Sequence, residues 1–309
     1  MIIKTQFLTV KLHKTLLVAI VFIFFATCTR HVMFAQSSTS PINDIAWNED
    51  GTSVAVARDD GTVEIVSTIG QLPVILNVSQ RRILSVAWSP SQSNTLALSS
   101  NRSSAKLVNV SGSQVDILFD LSSEEFVRQV EWSPNGLIVA TVGETGGGAS
   151  SISRVRIWDA SNGNLLATYE DGYSLTSIAW QPNNSNQILI TGVANQIGAE
   201  ILLWDFSTNN IVWNTQEPNS GVLELAWRDD SSEFATMTLT EEGALVRIHD
   251  ADSGEMISTL PTGMTFRGSL SWKPSQYLAV TDSHTIQIWD TVAGQLIISI
   301  QAVDYISTI

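Results

Sequence analysis

Residues 85–90 read SVAWSP, from Ser85 to Pro90, and five variants of that phrase recur along the chain. They are DIAWNE from Asp44, QVEWSP from Gln129, SIAWQP from Ser177, ELAWRD from Glu224 and SLSWKP from Ser269. In each copy apolar and polar residues alternate up to a Trp, and turn-forming residues follow. This is the pattern of a half-buried strand running into a tight turn. The tryptophans stand at positions 47, 88, 132, 180, 227 and 272, separated by 41, 44, 48, 47 and 45 residues. Self-similarity at such a period marks stacked repeats, none of which can bury its apolar faces alone.

Each unit contains four strand-like runs. In the first, Ile45–Trp47 is followed by a turn at Asn48-Glu49-Asp50-Gly51, then by SVAVA, TVEIV and PVILNV. Asp59-Asp60-Gly61 lies between two alternating runs, and Gly tolerates the positive φ that such a hairpin turn needs. That reading outweighs a calcium loop for Asp59-Asp60-Gly61-Thr62. The third unit differs by a Gly/Ser-rich insertion between its second and third runs, from Glu144 to Ser153.

The third run closes on Trp-Asp at Trp158-Asp159, Trp204-Asp205 and Trp289-Asp290, with His249-Asp250 in the fifth unit. The first two units have Val66-Ser67 and Val108-Asn109 there instead. A Ser-Pro or similar turn follows the first run, and a Gly often opens the fourth. In these features residues 42–309 resemble the WD-repeat β-propeller family. The resemblance implies an all-β fold, a β-propeller of four-stranded antiparallel blades with six repeats detected. It also implies protein docking on the face that carries the loops from each fourth strand to the next first strand. The sequence departs from the family in lacking the Gly-His dipeptide before the first strand. Blades held by packing more than by the family's Asp–His–Ser/Thr–Trp network are therefore expected. Tyr305–Ile309 matches the start of a further first strand, set against Arg82–Val86, and stops short of its Trp. The reading is closure by six blades; the alternative is a seven-bladed ring with an incomplete last blade, a truncated propeller.

The formal charge is −14, and the first 35 residues hold Lys4, Lys11, Lys14 and Arg30 with no acid. Residues 36–309 therefore carry 12 bases against 30 acids, a net −18, which repels nucleic acid and anionic lipid. After three lysines, Leu16–Cys28 reads LLVAIVFIFFATC, too short for a membrane span and suited to the apolar core of a signal peptide. Residues 1–35 are read as a signal peptide, cleaved after Cys28 or Ala35, or as an N-terminal membrane anchor, and residues 36–309 as the propeller. The expected location is secreted, periplasmic or cell-surface.

Cys28 is the only cysteine, so no intramolecular disulfide forms. The histidines are His13, His31, His249 and His284, too few and too scattered for zinc. No G-x-S-x-G, H-E-x-x-H or P-loop is present, and GETGGG from Gly143 lacks the lysine that phosphate binding needs. No catalytic residue, metal or cofactor is assigned. Six of the ten tryptophans end first strands, three sit in Trp-Asp, and these nine are read as inter-blade core. Trp213, on a fourth strand, is left open as a surface contact. The chemistry that remains is a surface: Arg81, Arg82, Glu124, Phe126, Tyr173, Met264 and Phe266 in loops of one face, with Glu125 and the Glu144–Ser153 loop. Arg and aromatic residues are those that usually carry binding energy. The sequence thus reads as a monomeric, non-enzymatic scaffold for protein partners, meeting a membrane only through its N-terminal segment. The alternative is an extracytoplasmic propeller enzyme or sugar-binding module.

Overall fold

A computed structural model describes residues 40–301, apart from 70, 102–103, 122–125, 146–151, 172–173, 195–197, 219–220, 241–242, 264–268, 273–275 and 282–284. These residues build six four-stranded antiparallel sheets, each a meander in chain order. The first blade is β1 (Ile42–Trp47), β2 (Ser53–Arg58), β3 (Thr62–Ser67) and β4 (Val74–Asn77). The second is β5 (Ile83–Trp88), β6 (Thr95–Ser100), β7 (Ala105–Ser111) and β8 (Gln114–Leu121). The third is β9 (Phe126–Trp132), β10 (Ile138–Thr145), β11 (Ile152–Asp159) and β12 (Leu165–Asp171). The fourth is β13 (Ser174–Trp180), β14 (Gln187–Ala194), β15 (Gly198–Asp205) and β16 (Asn210–Pro218). The fifth is β17 (Gly221–Trp227), β18 (Glu233–Thr240), β19 (Gly243–Asp250) and β20 (Met256–Leu260). The sixth is β21 (Ser269–Trp272), β22 (Tyr277–Thr281), β23 (Thr285–Asp290) and β24 (Gln295–Gln301). Every repeated phrase is thus the first strand of a blade, and the six blades form a β-propeller.

The alternation explains the stacking. Side chains point to opposite faces of a strand in turn, so each central strand offers apolar residues to both neighbouring blades. Ala55, Ala57 and Val63 of the first blade share a buried cluster with Ile83, Val86 and Leu96 of the second. Further shared clusters join the second to the third, the third to the fourth, the fourth to the fifth and the fifth to the sixth blade. Packing is not the only tie. The indole N–H groups of Trp132, Trp180 and Trp227 donate to Ala87 O, Glu131 O and Ala179 O of the preceding blade at 3.1, 3.3 and 3.1 Å. The expectation of blades joined chiefly by packing missed these backbone-directed bonds.

Turn chemistry sets the hairpins. Gly61 sits at φ +85°, and a Cβ there would collide with the Ser79 carbonyl oxygen. The Asp of each Trp-Asp pair folds back on the turn that follows it. Asp159 Oδ1 accepts from Ser161 N and Oγ at 2.8 and 2.6 Å, and Asp250 Oδ1 accepts from Ser253 N and Oγ at 2.9 and 2.8 Å. Asp205 does the same with Ser207 at 3.0 and 2.7 Å.

These bonds to the charged form hold the carboxyls below their ordinary range. At Asp159 and Asp250 the serine hydroxyl acts first and the serine N–H second. At Asp205 partial burial pushes the other way and is outweighed by the Ser207 hydroxyl and the Thr208 N–H. A carboxyl more acidic in the folded chain than in the unfolded one adds stability at neutral pH. That contribution disappears as the pH falls through the folded pKa. The melting temperature is therefore expected to fall between about pH 5 and pH 3. A D159N/D205N/D250N variant is expected to start lower at pH 7 and to fall less over that interval. Parallel melting curves for the two proteins would refute the assignment.

Candidate interaction surface

In a four-stranded meander the second-to-third connections and the exits from the fourth strand lie at one end of the blade. Arg81 and Arg82 are at that end, between β4 and β5, and both are exposed. Arg82 Nη2 pairs with Asp59 Oδ2 of the β2–β3 turn at 3.0 Å. Asp59 Oδ1 accepts from Asn43 Nδ2 at 2.7 Å, and the same amide donates to Ile83 O at 2.8 Å. Arg82 thus belongs to a tie between the first two blades. The backbone N–H of Arg81 donates to Ser79 Oγ at 3.0 Å, while its guanidinium has no ion-pair partner among the described residues.

Phe126 opens β9 and is half-buried. The Arg128 guanidinium lies 5.3 Å from its ring centroid, a cation–π distance. Arg128 is anchored on Glu144 Oε1 at 2.7 Å. Phe126 and Arg81 occupy the same end of neighbouring blades, and no contact joins them among the described residues. Glu124, Tyr173, Met264 and Phe266 lie outside the described residues, as do Glu125, His284 and most of the Glu144–Ser153 loop.

Sequence reasoning missed the paired bases on the strands. Lys106 Nζ meets Asp120 Oδ2 at 2.8 Å, and Arg154 Nε meets Glu170 Oε2 at 2.6 Å. Single bases spaced along alternating runs attract less notice than Arg81-Arg82. Their one signal is an acid at the register-paired position of the next strand, as for Lys106↔Asp120 and Arg154↔Glu170. Half-buried bases paired in this way, with side chains 21% and 18% exposed, contribute modest stability.

A second surface also escaped the sequence reading. Leu165-Leu166, Ile211-Val212, Met256-Ile257 and Leu296-Ile297 lie on β12, β16, β20 and β24, each residue between 44% and 56% exposed. Each pair sits at a β-bulge, where Leu166, Val212, Ile257 and Ile297 have no register partner on the third strand, and both residues of each pair are left about half exposed. Among the described residues no group of three His, Cys, Asp or Glu side chains is placed to hold a metal ion. His249 is buried, with Nδ1 donating to Gly254 O at 3.2 Å and its ring stacked 4.7 Å from Phe234.

Trp213 is not the surface contact that its place on a fourth strand allowed. Its ring stacks on Phe234 at 5.5 Å and 12°, and its Nε1 donates to Ala251 O at 2.9 Å. Both partners belong to the fifth blade, so this Trp fastens the outermost strand of the fourth blade to its neighbour.

Comparison with known proteins follows the repeat. Residues 24–91 match the family model of the anaphase-promoting complex subunit 4 WD40 domain. Residues 100–243 match that of eukaryotic translation initiation factor eIF2A. The chain is 22% identical over 190 residues to intraflagellar transport protein 80 homolog of Mus musculus, covering 61% of this chain and 22% of that protein. It is 21% identical over 220 residues to WD repeat-containing protein slp1 of Schizosaccharomyces pombe, covering 70% and 35%. It is 22% identical over 209 residues to histone-binding protein MSI1 of Saccharomyces cerevisiae, covering 62% and 47%. The chain thus spans less than half the length of each of these relatives. Together with the six four-stranded blades, these matches support reading the chain as similar to the WD-repeat β-propeller proteins, in divergent form.

Proposed function

We propose that the protein is a non-enzymatic scaffold that binds other proteins through the blade end carrying Arg81 and Phe126, working as a monomer outside the cytoplasm. The observation that carries the docking surface is chemical. At that end an exposed arginine with no ion-pair partner among the described residues and a half-buried aromatic under a second arginine stand on neighbouring blades. Arg and aromatic anchors dominate measured interface energies. The body's net charge of −18 favours a basic or neutral partner surface, with Arg81 set against an acid within it. Two relatives are named for such work, one as histone-binding and one as a cofactor of the APC complex.

The test is affinity capture from membrane and culture-supernatant fractions with the wild-type chain and an R81E/F126A variant. Loss of two anchors is expected to weaken specific capture at least about 30-fold, the effect of about 2 kcal/mol at a hot spot. The melting temperature should stay close to wild type. Unchanged capture by a folded variant would move the docking surface elsewhere, the exposed outer-strand belt being the next place to test.

Export rests on Lys4, Lys11 and Lys14 followed by the apolar run Leu16–Cys28, the order of charge and hydrophobicity in a secretory leader. Residues 1–40 fused to a reporter active only outside the cytoplasm are expected to give activity. A reporter that stays inactive and cytoplasmic would remove this part of the reading and leave the docking surface untouched.

A further inference from the structure

The fourth strand of each blade is outermost, and none of the six carries Lys, Arg or His. On two neighbouring blades the exposed apolar residues of these strands come together. Ile211 and Val212 of β16 are each 49% exposed, and Met256 and Ile257 of β20 are 56% and 54% exposed. Trp213 sets the two pairs on either side of the β19–β20 turn. Its Nε1 donates to Ala251 O at 2.9 Å. Its ring lies against Gly254, where a Cβ would come within 2.6 Å of Cε3. Gly254 has φ +74°, so the turn's conformation and this contact both require glycine. Ile211 and Val212 lead into Trp213 on one side of the turn, and Met256 and Ile257 leave it on the other.

The turn between the pairs is acidic. Asp250, Asp252 and Glu255 stand within six residues that contain no base. Asp250 is tied to Ser253. Asp252 and Glu255 are exposed, and neither has an ion-pair partner among the described residues. The arginines described in the fifth blade are already committed. Arg228 lies in the adjoining β17–β18 turn, whose Ser232 O accepts Ala251 N at 3.1 Å. It is held by Asp230 and Glu233 at 3.3 and 2.9 Å, and Arg247 pairs with Glu217.

We propose that Ile211, Val212, Met256 and Ile257, with Asp252 and Glu255 between them, bind a segment of a partner protein in which lysine or arginine stands beside leucine-like side chains. Charge selects this occupant. Any cover laid over the apolar pairs also takes water from the two carboxylates, and a carboxylate desolvated without a counter-charge is costly. A purely apolar cover is therefore disfavoured. A second copy of this chain would bring a body of net charge −18 against another of the same charge, and anionic lipid is repelled in the same way. A segment both basic and apolar satisfies the carboxylates and the exposed side chains together. In a meander the third-to-fourth turns lie at the end opposite the second-to-third connections, so this surface is at the far end of the blades from Arg81 and Phe126. The inference is independent of the docking proposed there.

The probe is a labelled peptide of alternating lysine and leucine, KLKLKL, titrated into the full chain and followed by fluorescence anisotropy. It is expected to bind, and the peptides ELELEL and KSKSKS to bind at least about tenfold more weakly, the scale of one lost anchor. M256S/I257S and D252N/E255Q should each weaken binding of the lysine–leucine peptide by a similar factor. Their melting temperatures should stay at the wild-type value, because the substituted side chains are exposed. R81E/F126A and L165S/L166S should bind the peptide as wild type does. The first separates this surface from the other end of the blades, and the second separates it from apolar exposure on an outer strand in general. No binding by the parent, or undiminished binding by M256S/I257S and D252N/E255Q, would overturn the proposal. So would self-association of the parent, or its flotation with phosphatidylcholine vesicles, where I257S abolishes it, since the occupant would then be a second copy or a lipid surface.

Discussion

Trp180→Ala is expected to lower the stability of the propeller by about 3–5 kcal/mol, the range for truncating a buried Trp or Phe. Trp180 ends β13 and is buried among Ile138 and Ile157 of the third blade and Ile178, Ile188, Leu202 and Trp204 of its own. Its ring stands edge-on to Phe206 at 5.9 Å and 86°, a favourable aromatic geometry. Its Nε1 donates to Glu131 O of the third blade at 3.3 Å. Truncation removes the transfer free energy of the ring, opens a cavity that the flanking strands cannot close, and takes a donor from the inter-blade register. Trp180→Phe keeps most of the apolar volume and loses the N–H, so it should cost about 1–2 kcal/mol. In a body of this size each kcal/mol moves the midpoint by about 2–4 °C, so thermal melts separate the two variants. Trp47→Ala is the control: its indole makes no hydrogen bond and its cluster contains no described residue of another blade, so its loss should be smaller. A cost below about 1 kcal/mol for Trp180→Ala would show that the ring is not part of the inter-blade core.

Such effects could be anticipated because the inner strand is a local object. SVAWSP and its variants carry alternation, a large aromatic and a turn within six residues, and the same physics acts on each copy. Gly61 was legible for a similar reason, since its φ requirement comes from the Asp-Asp-Gly turn itself. Partners across a blade boundary were not. Trp213 looked free because Phe234 and Ala251, which take up its ring and its N–H, lie in the next blade. Arg128 could not be set over Phe126, nor on Glu144, from spacing alone, because the pairing depends on how β9 registers against β10. The exposure of Leu165-Leu166 and Ile211-Val212 was hidden because the bulges that place both residues of each pair on the outermost strand's open side depend on pairing with the third strand. Of the seven residues named for docking, Arg81, Arg82 and Phe126 are among the described residues, at the same end of neighbouring blades. Arg82 is committed to Asp59, and Glu124, Tyr173, Met264 and Phe266 lie outside the described residues.

The same boundary between the fourth and fifth blades carries a buried ion pair. Glu217, on the outermost strand β16, is buried, and its carboxylate pairs with Arg247 of β19. Its Oε1 lies 3.2 Å from His249 Nε2. Arg247 Nη1 also donates to Thr238 Oγ1 at 3.0 Å, and Thr236 Oγ1 lies 3.2 Å from His249 Nε2. Glu217→Ala leaves the Arg247 guanidinium facing a dry interface without its counter-charge. Breaking a buried pair from one side costs about 3–5 kcal/mol. Because the Arg247 side chain is 15% exposed, water can reach it in part, and the lower end of that range is expected. Glu217→Gln keeps the shape and one acceptor and should cost less. An E217L/R247M double variant removes both charges and fills their volume, so it should recover much of the stability lost in E217A. Replacing a buried ion pair by apolar residues is often neutral. The loss in E217A should also persist in 1 M salt, because ions do not screen a pair closed off between two sheets as they screen an exposed one. If E217A melts within a degree or two of wild type, or if its deficit vanishes in salt, the pair is solvated. Then Trp213, stacked on Phe234 two turns of the strand pleat away, is what holds β16 to the fifth blade.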